Sequence, residues 1–119
     1  MLPRKTTNLG QAAEEIAVQL LKGRNYKIIE RNFHSKFGEI DIVAVNEGAL
    51  VFVEVKARWS KRFGAPEEAV TQSKLWKIRK TGEYFSILHP ELPKKLRIDV
   101  VAIEMEGGKV ASTKIIKVF

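Results

Sequence analysis

Charged side chains are costly inside apolar strands, so their presence there needs a reason. Two runs contain them. One is Gly38-Glu39-Ile40-Asp41, which leads into Ile42-Val43-Ala44-Val45. The other is Leu50-Val51-Phe52-Val53-Glu54-Val55-Lys56. Side chains alternate along a strand, so Glu54 and Lys56 share a face with Leu50 and Phe52. If Glu47 and Gly48 form a two-residue turn, Asn46 pairs with Ala49. Counting outward, Asp41 then lies opposite Glu54, and Glu39 opposite Lys56. A four-residue loop keeps this pairing. A three-residue loop without a compensating bulge would put Asp41 and Glu54 on opposite faces.

Two facing carboxylates repel when both are ionised. A divalent cation removes that cost, because carboxylate oxygens are its preferred ligands. It can also polarise a phosphodiester and lower the pKa of water. Lys56 would then position that water or neutralise charge developing on the phosphate. The backbone carbonyl of Val55 supplies a further oxygen. The competing reading is a strand-end salt bridge of Asp41 or Glu54 with Lys56, since ion-pair networks are common.

Composition narrows the chemistry. The chain has no cysteine, which excludes disulfides, thiolate metal sites and cysteine nucleophiles. Its only histidines are His34 and His89, both expected at the surface, so a histidine-rich zinc site is not expected. A metal held mainly by carboxylates points to magnesium or manganese. The net charge of +7 favours polyanionic partners, nucleic acid first and anionic membrane second, over a merely basic surface. No apolar run reaches the roughly 20 residues that span a bilayer. The start, Met-Leu-Pro-Arg-Lys, is basic but lacks a following apolar segment, so no secretion signal is read and the cytoplasm is expected.

The elements that must position these groups follow from periodicity. The 119 residues fit a single domain, with 1–8 as a loose basic arm. Leu9, Ala12, Ala13, Ile16, Ala17, Leu20 and Leu21 recur at helical spacing, with Asn8 as a cap and Gly23 at the end. Tyr26 to Phe33 reads as a strand. Ile40 to Val45 and Ala49 to Val55 read as a central hairpin covered on both faces. Trp59 to Pro66 is a basic loop, and Glu67 to Leu88 a long helix with Pro66 at its first turn. Leu96 to Glu104 and Val110 to Val118 are two further strands. The expected fold class is α/β, a mixed sheet flanked by helices in the order α-β-β-β-α-β-β.

Asp41, then Glu54-Val-Lys56, resembles the PD-(D/E)xK nuclease signature. The wider string resembles the YraN family: Gly10-x-x-x-Glu14-x-x-Ala17, Arg31-Asn32-Phe33, Gly38-Glu-Ile-Asp41, Phe52-Val-Glu-Val-Lys-x-Arg58, Phe63-Gly64, Lys74 and Arg97-x-Asp99-Val-Val-Ala. The resemblance covers almost the whole chain, from Gly10 to Ile103. It implies a restriction-endonuclease-like fold, similar to archaeal Holliday junction resolvases. By the same resemblance Asp41 and Glu54 are metal-binding carboxylates, Lys56 is the catalytic lysine, and Glu14 completes the site from the first helix. The expected activity is a metal-dependent endonuclease acting on DNA rather than RNA, with structured or branched DNA among the expected substrates; the alternative is a non-catalytic nucleic-acid-binding module. A homodimer would suit the cutting of two strands.

Position along each element separates the remaining candidates. Glu14 lies about 100° from the centre of the first helix's apolar stripe, at the edge of a cleft or simply in solvent. Lys74 falls within the second helix's stripe of Val70, Ile78, Phe85 and Leu88, so it either snorkels out or reaches an anionic ligand. Arg58, Lys61 and Arg62, interleaved with Trp59, could meet phosphates and unstacked bases, or form a solvated basic loop. Lys77 could extend that face. Arg97 and Asp99, at the start of a strand with alternating exposure, read as an ion pair buttressing the sheet or the first helix.

Overall fold

A computed structural model describes residues 8–58 and 71–118. Its elements in chain order are α1 (Asn8–Gly23), β1 (Lys27–Ser35), β2 (Gly38–Asn46), β3 (Ala49–Arg58), α2 (Gln72–Leu88), β4 (Leu96–Glu106) and β5 (Lys109–Lys117). They form a mixed α/β fold with one five-stranded sheet, in the spatial order β1-β2-β3-β4-β5. All neighbours are antiparallel except β3 and β4, which are parallel. Parallel neighbours need a crossover, and the chain between β3 and β4 includes α2.

The central strands are buried on both faces, which is why their sequences are nearly continuous apolar runs. Ala13, Ala17, Val18 and Leu21 of α1 pack on Ile42, Ala44, Val51, Val53, Val101 and Ile103. Ile78 and Phe85 of α2 pack on Ile40, Val43, Leu50, Phe52 and Ile98 of the opposite face. The approach of α2 is close at Gly82, where a Cβ would stand 2.4 Å from the Phe52 ring. Among the described residues no helix is long and apolar enough to cross a membrane.

Several expectations need correction. Helix α1 ends at Gly23 as expected, and the left-handed residue that follows it is Asn25 (φ 67°). The Tyr26 N–H donates to the Leu21 carbonyl and the Asn25 N–H to that of Lys22, closing a Schellman motif with Tyr26 and Leu21 in one core. Tyr26 therefore precedes β1 and belongs to the α1 core. Leu88 is half exposed and Val70 lies outside the described residues; the buried stripe of α2 is Ile78, Thr81, Gly82 and Phe85. Strand β4 does not alternate in exposure. Residues 97–103 are all buried, because β4 lies between β3 and β5. His89 is only partly exposed; it caps α2 and its ring stacks on Phe85 at 4.2 Å. The expected start of the second helix at Glu67 lies outside the described residues.

Candidate functional site

The Glu47-Gly48 turn has positive φ at both positions (52° and 78°), as a type I′ hairpin demands. It sets Asn46 opposite Ala49, and the register then runs outward to Ile42 opposite Val53. There the β2–β3 ladder stops, one pair short of Asp41 and Glu54. On the other side of β2 the register passes from Arg31–Ile42 to Phe33–Ile40, leaving Asn32 and Asp41 unpaired with each other in the ladder. Alternation would put Ile40 and Ile42 on one face. Instead Ile42 packs in the α1 core and Ile40 in the α2 core. Asn32 sits at this break with φ 56°, a conformation that Asn tolerates better than most residues. The sheet forks at Asp41.

The fork exposes a backbone donor, and Asp41 takes it. The Val55 N–H donates to the Asp41 carboxylate at 2.8 Å. Burial, and then the Glu54 charge, push the Asp41 carboxyl up to about 6, with Glu14 adding to the effect while the Val55 N–H and Lys74 oppose it. Glu54, on β3, is 5% exposed. One of its oxygens, Oε2, meets Lys74 Nζ at 2.7 Å and Lys56 Nζ at 3.4 Å. Lys56 is lowered from the usual lysine range by burial and then by Lys74, with Glu54 acting the other way. For Lys74 burial is the largest single influence and acts to lower it, but the hydrogen bond to Glu54, the contact with Lys56 and the charges of Glu54 and Asp41 together raise it.

Glu14 is buried rather than solvated. Its Oε2 accepts from Asn32 Nδ2 at 2.9 Å and from Arg31 Nε at 3.5 Å, which ties α1 to β1 beside the fork. Glu14, Asn32, Asp41, Val55 and Lys56 line one open cleft of about 550 Å³. Glu39 also lines it, but is exposed and paired with His34 in the β1–β2 ladder rather than set against Lys56. Asn32 was not singled out as a site residue. Its signal was weak: an asparagine in a strand, where that residue is depleted.

The remaining candidates divide simply. Lys74 is brought to Glu54. Arg58 ends β3 opposite Glu104, and Lys77 is exposed on α2. Trp59, Lys61 and Arg62 lie outside the described residues. Arg97 and Asp99 form a buried bidentate pair at 2.8 and 2.9 Å, as expected of a buttress. Tyr26 and Asn46 join that pair.

The donor set bears on a metal in two ways. Two interacting carboxylates, one of them raised by burial and then by the charge of the other, are the chemistry a hard divalent cation relieves. Among the described residues, however, no group of three His, Asp or Glu side chains is placed to hold an ion. Magnesium suits so sparse a set, because it commonly uses one or two carboxylates and keeps several waters. Asp41, Glu54 and the Val55 carbonyl are the residues that would hold it.

Comparison with other sequences covers nearly the whole chain. The family model described as "Uncharacterised protein family UPF0102" matches residues 13–103, which include Glu14, Asp41, Glu54, Lys56 and Lys74. A UPF0102 protein of Syntrophomonas wolfei is 44% identical over 111 residues, 93% of this chain and 96% of its own. One from Persephonella marina is 40% identical over 94 residues, 79% of this chain and 81% of its own. A third, from Cytophaga hutchinsonii, is 45% identical over 97 residues, covering 82% and 85%. With matches of this length and identity, the chain belongs to the UPF0102 family, the YraN family whose motifs its sequence resembles.

Proposed function

We propose that this protein is a magnesium- or manganese-dependent endonuclease that hydrolyses phosphodiester bonds of DNA on a restriction-endonuclease-like fold. The observation that carries the reading is the strand fork, where Asp41 and Lys56 line an open cleft and both interact with the buried Glu54. The mixed sheet, with antiparallel β1–β3 and a crossover to a parallel β4, agrees with the proposed fold class. The net charge of +7 agrees with a polyanionic substrate.

A metal held by Asp41, Glu54 and the Val55 carbonyl would supply Lewis acidity toward a phosphate oxygen and would acidify water. The protein does the rest. Asp41 is held in place by the Val55 N–H, so its carboxylate needs no reordering. Glu54 is fixed by burial and by two ammonium groups. Lys56, one strand repeat from Glu54, stands where an ammonium can orient the attacking water or offset charge on the phosphate. Glu14, braced by Asn32, adds negative charge at the cleft wall and helps to retain a cation. Arg58, Lys77 and the segment holding Trp59, Lys61 and Arg62 are proposed contacts to the nucleic acid backbone and bases.

The test is incubation with single-stranded, duplex, flapped and four-way DNA in magnesium or manganese. Asp41→Ala, Glu54→Ala and Lys56→Ala should each reduce cleavage at least about a hundredfold, with the circular dichroism spectrum unchanged. Cleavage surviving in all three variants would sink the proposal.

One observation favours a second reading. Glu54 is already neutralised by two lysines, and no three-ligand group is present among the described residues. A nucleic-acid-binding module without catalysis would show salt-dependent binding and no metal-dependent turnover.

A further inference from the structure

The two lysines on Glu54 differ in how they get there. Lys56 is two residues further along the same strand, so its stem lies on the same face beside Glu54, and its side chain is the less exposed of the two at 24%. Lys74 comes from the first turn of α2, where Thr71 caps the helix by accepting from the Lys74 N–H at 3.2 Å. Its ammonium is nevertheless the closer of the two, at 2.7 Å against 3.4 Å. The Lys74 side chain is 40% exposed while that of Glu54 is 6% exposed. A flexible, partly solvated stem therefore delivers a single charge to a fixed, buried carboxylate.

The charge balance shows what a metal would change. Glu14 has Arg31 against it, and Asp41 and Glu54 face Lys56 and Lys74. The cluster is near neutral as it stands. A divalent cation would leave it with a surplus of two positive charges, and one ammonium then gains by leaving Glu54 for an incoming anion. Only Lys74 has both the reach and the exposure to leave.

Resting on the reading of the site given above, we propose that Lys74 is its resident counter-cation. Its ammonium holds Glu54 until a divalent cation takes the carboxylate, and the released ammonium then binds a phosphate of the nucleic acid. Metal binding and substrate binding are coupled through this exchange, and Lys74 contributes to phosphate binding only when metal is present.

Two measurements test it, neither of which reads cleavage. The first is calorimetric titration of Mn2+ into wild type, Lys74→Met, Lys74→Arg and Glu54→Gln, each checked for folding by its melting curve. Lys74→Met should bind Mn2+ about fivefold more tightly than wild type, since a part-exposed ion pair no longer competes. Lys74→Arg should resemble wild type, and Glu54→Gln should lose binding. Equal or weaker Mn2+ binding by Lys74→Met, or none by either protein, overturns the exchange.

The second is the salt dependence of binding to labelled DNA, with Ca2+ in place of Mn2+ to suppress hydrolysis. The log–log slope should be steeper for wild type than for Lys74→Met by about one with Ca2+, and the same without it. Glu54→Gln, with Lys74 already free, should show the steeper slope without any metal. A Lys74 effect of equal size with and without Ca2+ overturns the coupling. If both results hold but no DNA is cut, the nuclease reading fails and the exchange stands.

Discussion

The fold buries two charged clusters, and they are built on opposite plans. In one, Asp99 is fully buried and receives two hydrogen bonds from Arg97 and one of 2.6 Å from Tyr26. Arg97 also donates to Asn46 at 2.7 Å. Burial, and then Asp99, push the Tyr26 hydroxyl up to about 12, so it stays a donor. In the other, Glu14, Asp41 and Lys56 line an open cleft, and the buried Glu54 is paired with Lys56 and Lys74. There the Asp41 carboxyl is raised first by burial and then by the Glu54 charge. The first cluster satisfies each carboxylate with a local partner and holds strands together. The second also gives its carboxylates partners, but it gathers three of them and sets Asp41 and Glu14 on the wall of an open cleft. One carboxylate saturated away from solvent suits a structural network, whereas several carboxylates and lysines beside a cleft suit the proposed site.

The contrast can be broken most forcefully at Asp99. Asp99→Ala leaves Arg97 buried without its carboxylate and should cost about 3–5 kcal/mol, read as the denaturation midpoint. Mn2+ binding should survive in whatever fraction remains folded.

Asp41 should behave in the opposite sense. Its folded carboxyl keeps a proton up to about pH 6, while the unfolded one releases it near 3.8. Between those values the unfolded state binds fewer protons, so this group's contribution to stability falls as pH rises. Asp41→Asn retains an oxygen for the Val55 N–H and removes the fall. It should gain up to about 3 kcal/mol over wild type at pH 8 and nothing at pH 3. Melting curves at both pH values decide it, and excess Mg2+ should narrow the difference at pH 8 by stabilising wild type alone.

Tyr26→Phe removes one hydrogen bond from Asp99 while Arg97 still holds it. The expected loss is about 1–2 kcal/mol, with no effect on metal binding. Lys77→Ala, on the exposed surface of α2, should change stability by less than about 0.5 kcal/mol. If Lys77 meets phosphate, it should still lower the salt slope of DNA binding by about one.

Much of this was legible along the chain. The element types, the hairpin turn and the pairing of Asn46 with Ala49 followed from alternation and from a Glu-Gly dipeptide between apolar runs. Arg97 and Asp99 could be read as a buttress because alternate residues share a face. The unusual charges at Asp41, Glu54 and Lys56 were visible because a strand tolerates them poorly without a reason.

What the chain order could not convey is where regularity fails. Simple register put Asp41 directly across from Glu54. The fold instead ends the ladder one pair earlier, twists β1 at Asn32 and turns Asp41 onto the Val55 N–H. Local sequence is nearly silent on such a break, because it arises where two helices demand opposite faces of the same strand. Glu14 and Lys74 show the same limit. As single residues each could equally lie in solvent, and only the docking of α1 and α2 on the sheet buries one and lays the other on Glu54. The sequence by itself determined which elements form and which charges are anomalous, because both depend on neighbours along the chain. The tertiary structure alone decided which charges meet, because that depends on the packing of elements distant in sequence.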